Sequence, residues 1–146
     1  MDVKVNRIAA SQNERIEIYC HKISDEVKEI VAFVKSRQGQ IAGTLDDKQY
    51  EIPVTDILYV EAVDNKCFVY TAKKVYETRE RLYVLEELLL EKRFLRVSKS
   101  ALLNVMKIDA IKPALNGRFI AILSNGENVI ISRKYVKDLK RMIQGA

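Results

Sequence analysis

Apolar and polar residues follow two different periods in the first third of this 146-residue chain. In residues 14–20, Ile16, Ile18 and Cys20 alternate with Arg15, Glu17 and Tyr19, the two-residue period of a half-buried strand. Ile23, Val27, Ile30, Val31 and Val34 then recur at helical spacing. Ser24 suits the N-cap, and Asp25 and Glu26 suit the positive end of the helix dipole, so the pattern predicts a helix from about Asp25 to Ser36.

From Ile41 onward the pattern becomes a succession of short β-prone runs separated by turn residues. The predicted strands are Ile41–Leu45, Gln49–Pro53, Ile57–Ala62, Cys67–Thr71, Lys74–Thr78, Leu95–Val97, Ala110–Ala114, Phe119–Leu123 and Asn128–Ser132. Asp46-Asp47, Asp64-Asn65, Asn116-Gly117 and Asn125-Gly126 mark reversals, and the two Asn-Gly pairs suit type I′ hairpins. Two helices interrupt the strands. Arg81 to Glu91 gathers Leu82, Leu85, Leu88 and Leu89 on one face, while Arg133 to Ile143, with Ser132 as N-cap, turns Val136, Leu139, Met142 and Ile143 inward. Strands in hairpin succession exclude a parallel α/β array. The expected class is mainly β (α+β): an antiparallel domain over 41–146 with peripheral helices, preceded by a strand-helix extension over 1–40.

Charge is unevenly spread. Residues 93–146 hold eleven lysines and arginines against three acids, whereas residues 1–92 hold 14 against 17. A mildly acidic body with a basic end suits a localised polyanion-binding surface. No apolar run approaches the roughly 20 residues needed to cross a bilayer, and the first residues lack the apolar stretch of a signal peptide. Cys20 and Cys67 are too few for a disulfide framework and lack metal-ligand spacing, so no metal or cofactor is expected and the expected compartment is the cytoplasm. With one histidine (His21) and no nucleophile motif, no enzymatic activity is expected; Glu61 and Asp64, at a strand end and a turn, read as solvated carboxylates.

Two basic clusters carry candidate chemistry. In Arg96-Val97-Ser98-Lys99-Ser100, lysine can donate to phosphate or to guanine O6/N7, with serine hydroxyls fixing register. The plainer alternative is a solvated turn in which Ser98 or Ser100 caps a short helix at Ala101-Leu-Leu. In Ser132-Arg133-Lys134-Tyr135, two cations flank a helix start whose free N–H groups favour anions; alternatively they are merely exposed charges, with Tyr135 plugging the core. The turn Asp64-Asn65-Lys66-Cys67 offers Lys66 as a weaker candidate. The tyrosines are dispersed among β-branched residues and form no stacking platform for single-stranded nucleic acid, and no helix-turn-helix pair is evident.

In order, Ile57-Leu-Tyr-Val-Glu-Ala-Val-Asp64, Phe68-Val-Tyr, Leu82 to Leu90, Phe94 to Asn104, Ile108-Asp-Ala-Ile-Lys-Pro113, and Asn125-Gly-Glu through Ile131-Ser-Arg-Lys-Tyr-Val resemble the LytTR-type DNA-binding domain of bacterial transcription regulators. The resemblance runs from about Ile41 to Ile143. It implies an elongated domain of short antiparallel strands in stacked small sheets, and sequence-specific binding of duplex DNA through loops inserted into major grooves. Carried over by position, it implies Lys99 and Lys134 as base readers. Arg96, Ser98, Ser100 and Arg133 would position the backbone, with Lys66 and Tyr135 beside them. Members carry histidine in the first contact turn, where this chain has Lys66 and Cys67, and cysteine is a poor base reader. Asn104 matches a family position suited to bracing a loop. The residues before Ile41 are too few for a receiver domain, so the resemblance implies a stand-alone regulator. Its expected partners are double-stranded DNA, a second copy on adjacent half-sites and a membrane-protein regulator. The rival reading is a protein-interaction module binding a membrane or signalling partner without direct DNA recognition.

Overall fold

The computed structural model describes residues 1–145. Helix α1 (Asp25–Arg37) is followed by strands β1 (Gln40–Leu45), β2 (Lys48–Pro53), β3 (Ile57–Val63), β4 (Lys66–Thr71) and β5 (Val75–Thr78). Helix α2 (Leu82–Leu89) leads to β6 (Phe94–Ser98), β7 (Ala101–Asn104), β8 (Ile108–Pro113), β9 (Phe119–Leu123), β10 (Asn128–Ile131) and α3 (Val136–Gln144). The strands form two antiparallel sheets, one in the order β2-β1-β5-β4-β3-β7-β6 and the other β10-β9-β8.

Two cores lie on opposite faces of the large sheet and share the strands β3, β6 and β7. On one side, Ile57, Val60, Phe94 and Leu102 meet Leu82, Leu85 and Leu89 of α2. On the other, Leu58, Val97, Ala101 and Leu103 meet Ala121, Leu123 and Ile131 of the second sheet and Leu139 of α3. Strict alternation would put Ile57 and Val60 on opposite faces. A register shift between Ile57 and Tyr59 returns both to the α2 side.

The helix over 25–36 forms as expected, and the Ser24 hydroxyl accepts a 3.3 Å hydrogen bond from the Val27 N–H. Asp46-Asp47, Asp64-Asn65 and Asn116-Gly117 all have positive φ at both positions, as type I′ turns require. At Asn125-Gly126 only the glycine does, and Asn125 instead accepts from the Glu127 N–H at 3.1 Å.

Three expectations are corrected. Residues 14–20 pair with no strand and are largely exposed, because no sheet edge of the same chain lies against their backbone. Ala101-Leu-Leu is strand β7, not a short helix; all four residues of that strand are buried. A strand covered on both faces shows no alternation, and so carries no period to read. The last helix starts later than Arg133, since Arg133–Tyr135 form a 3-10 turn and the Ser132 side chain makes no capping bond. No helix among the described residues is long and apolar enough to cross a membrane.

Candidate nucleic-acid interface

Antiparallel pairing decides where the cationic turns lie. Strands β3 and β6 run toward the same end of the large sheet, and β4 and β7 start there. The β3–β4 turn carrying Lys66 and the β6–β7 turn carrying Lys99 therefore share one end of that sheet. The Ala62 N–H donates to the Ser100 carbonyl at 2.7 Å and holds the two turns side by side.

The second basic cluster reaches the same end from the other sheet. The Ser132 N–H donates to the Val97 carbonyl at 2.8 Å, joining the segment after β10 to the tip of β6. Arg133 and Lys134 leave from that junction, and Lys99 is two residues beyond Val97. Lys99, Arg133 and Lys134 are exposed. Tyr135 packs half-buried against the second core, with the Lys134 ammonium 5.5 Å from its ring centroid. The plug and the cation are thus one unit.

Within the β6–β7 turn the residues have distinct tasks. Ser98 accepts from the Ser100 N–H at 3.2 Å, a side-chain-closed turn that leaves Lys99 at its apex. Arg96 is not a free cation. Its Nη2 and Nε donate to Glu86 of α2 at 2.9 and 3.3 Å, and its Nη1 donates to the Lys99 carbonyl at 2.6 Å. The guanidinium therefore clamps the turn to α2. Glu86 lies ten residues away on another element, and no spacing rule links the two.

Asn104 is buried and braces the far end of β7. Its amide donates to the Ile57 carbonyl at 2.8 Å and its oxygen accepts from the Met106 N–H at 3.1 Å. Lys66 is exposed and sits 3.5 Å from Glu77, a loose ion pair. Cys67 is buried, and desolvation pushes its thiol pKa up, which keeps it a neutral core group with no access to a ligand. The β8–β9 turn, which the sequence marks only as a reversal, joins this end too. A Cβ on Gly117 would stand 3.0 Å from Arg133 Cδ, and Arg118 on the same turn is exposed. One end of the protein thus gathers exposed cations from four loop segments.

A family model described as the LytTr DNA-binding domain matches residues 47–144. The sensory transduction protein LytT of Bacillus anthracis is 32% identical over 113 residues, covering 77% of this chain and 46% of that protein. The chain thus spans under half the length of that relative. An uncharacterised HTH-type transcriptional regulator of Staphylococcus aureus is 27% identical over 139 residues, covering 93% of this chain and 94% of the relative. A solved LytTr DNA-binding domain from Bacillus cereus superposes with a TM-score of 0.68 at 27% identity, covering 72% of this chain and 96% of that one.

Proposed function

The chain belongs to the LytTr DNA-binding domain family, and on that premise we propose that its basic end binds duplex DNA sequence-specifically as the recognition module of a transcription regulator. Lys99 and Lys134 read base edges in the major groove. Arg133, Ser98 and Ser100 meet the phosphate backbone, and Lys66 adds a phosphate contact at the rim. Arg96 acts by holding the Lys99 turn, and Tyr135 by anchoring Lys134. Recognition takes place on two adjacent half-sites, one for each of two copies. Residues 41–146 form the recognition domain and residues 1–40 an accessory segment.

One observation carries this reading: the Ser132–Val97 hydrogen bond sets the two basic clusters side by side with both lysines exposed. Charge spread evenly over the surface would support only non-specific attraction. Here the cations instead sit on short turns anchored by a sheet, so their spacing is held before DNA arrives. That preorganisation favours selective contact.

The test is a gel-shift titration on duplexes selected from a random pool. Lys99→Ala and Lys134→Ala each lower specific affinity about 5- to 150-fold, the range of a lost base-edge pair of roughly 1–3 kcal/mol. Lys73→Ala, on an exposed turn at the other end of β4, has little effect. Equal losses from all three variants overturn the proposal.

A further inference from the structure

Residues 13–20 pair with nothing in the chain, and side chains along one side of the run are tied to each other. Arg15 Nε donates to Glu17 Oε1 at 2.7 Å, and the Tyr19 hydroxyl donates to Glu17 Oε2 at 2.7 Å. Contacts between residues two apart fit an extended backbone, in which Ile16, Ile18 and Cys20 fall on the opposite side. Ile16 is 68% exposed and Tyr19 87% exposed. Among the described residues, no backbone hydrogen bond joins residues 13–20 to another strand. A β-prone, alternating and unpaired run presents a row of free N–H and C=O groups to any matching strand.

The sequence of this run is complementary to itself. Consider two copies placed antiparallel about a two-fold axis through Ile18. Ile16 then faces the second copy's Cys20, Ile18 faces Ile18, and Glu17 faces Tyr19. Apolar meets apolar on one side, and on the other a carboxylate meets a hydroxyl. Moving the axis by one residue weakens the match. Through Glu17 it opposes two carboxylates, and through Tyr19 it carries the pairing into the bend at His21 and Lys22. A two-stranded ribbon needs its apolar side covered. Ile23, 72% exposed just before α1, and Phe33, 54% exposed on α1, offer further apolar surface in the same part of the chain.

We propose that residues 14–20 are a dimerisation strand, pairing with the same residues of a second copy as an antiparallel ribbon centred on Ile18. The ribbon holds two recognition domains together before either meets DNA. It rests on the N-terminal segment alone and is independent of how the basic end reads a groove.

The test uses the full chain in a Cys20→Ser background, in which Cys67 stays buried. Ile18→Cys sets two thiols directly across the axis, where cross-strand Cα separations of about 4.5–5.5 Å suit a disulfide. Ile16→Cys sets them about 13 Å apart along the strand. Under mild oxidation Ile18→Cys becomes a covalent dimer and Ile16→Cys stays a monomer. With Cys20 restored, Ile16→Cys cross-links as well. Ile18→Asp, on an exposed segment, sediments as a monomer with unchanged circular dichroism, while the native chain sediments as a dimer. A monomeric native chain, or cross-linking at residue 16 as fast as at residue 18 in the Cys20→Ser background, overturns the proposal. Neither readout involves DNA, so failure here leaves the recognition reading standing, and the reverse also holds.

Discussion

Arg96 offers the sharpest perturbation, because its two readings predict opposite results. Its side chain is 18% exposed and bound to Glu86, which is 40% exposed. Partial exposure of the carboxylate limits that pair to about 0.5–1 kcal/mol. The charge-assisted bond to the Lys99 carbonyl adds about 1.5 kcal/mol. Arg96→Ala should therefore cost about 2 kcal/mol, a fall in Tm of roughly 4–8 °C for a domain of this size. Glu86→Gln, which keeps the shape but weakens the clamp, should cost about 0.5–1 kcal/mol. If Arg96 acts only by shaping the Lys99 turn, both variants lower the ratio of specific to non-specific affinity. For Glu86→Gln the loss is about 2- to 5-fold. Neither changes the slope of log affinity against log salt, since no phosphate contact is lost. If Arg96 instead leaves Glu86 to grip a phosphate, Glu86→Gln frees the cation and raises affinity, while Arg96→Ala lowers the slope by about 0.9. Fluorescence-anisotropy titrations at several salt concentrations separate the cases. A stronger Glu86→Gln complex, or a shallower Arg96→Ala slope, would refute the clamp.

Other consequences follow from single sites. Asn104→Ala strips partners from the Ile57 carbonyl and the Met106 N–H, and should cost about 2–4 kcal/mol in urea unfolding with an unchanged m-value. Burial, with Glu29 as a second cause, holds the Glu80 carboxyl pKa above its ordinary 4.5 in the folded state. Ionising it there is costlier than in the unfolded chain, so its effect is smallest below 4.5 and stability falls as pH rises through the raised value. Glu80→Gln should then raise Tm at pH 7 and leave it unchanged near pH 4; a gain of equal size at both pH values would point to packing instead. Gly43→Ala places a Cβ 2.6 Å from Ile52 Cδ1 and 3.0 Å from Tyr76 Cβ, and thermal melts should show a loss of roughly 1–3 kcal/mol from overpacking.

Much of this molecule was legible without coordinates. Helix α1 and its Ser24 cap, α2, and the strands β1 to β6 and β8 to β10 stand within a few residues of where their periods put them. Where such an element has a wet face, as α1, β2, β5 and β10 do, that face writes its period into the sequence. The basic end was visible as a charge imbalance, and the clusters around Lys99 and Lys134 as short phrases. Strand β7 was not legible, because burial on both faces leaves Ala101-Leu-Leu-Asn104 without alternation. Residues 14–20 carried a true strand pattern, yet periodicity says only that one face is apolar and nothing of what covers it.

The chain by itself determined which segments extend, which coil and where positive charge accumulates, because those depend on neighbours within a few residues. Tertiary structure alone decided that cations far apart in sequence share one end of a sheet. It also decided that Arg96 is held by Glu86 rather than free, and that Cys67 faces inward. Each depends on strand order and register, and those are set by long-range pairing that no local pattern encodes.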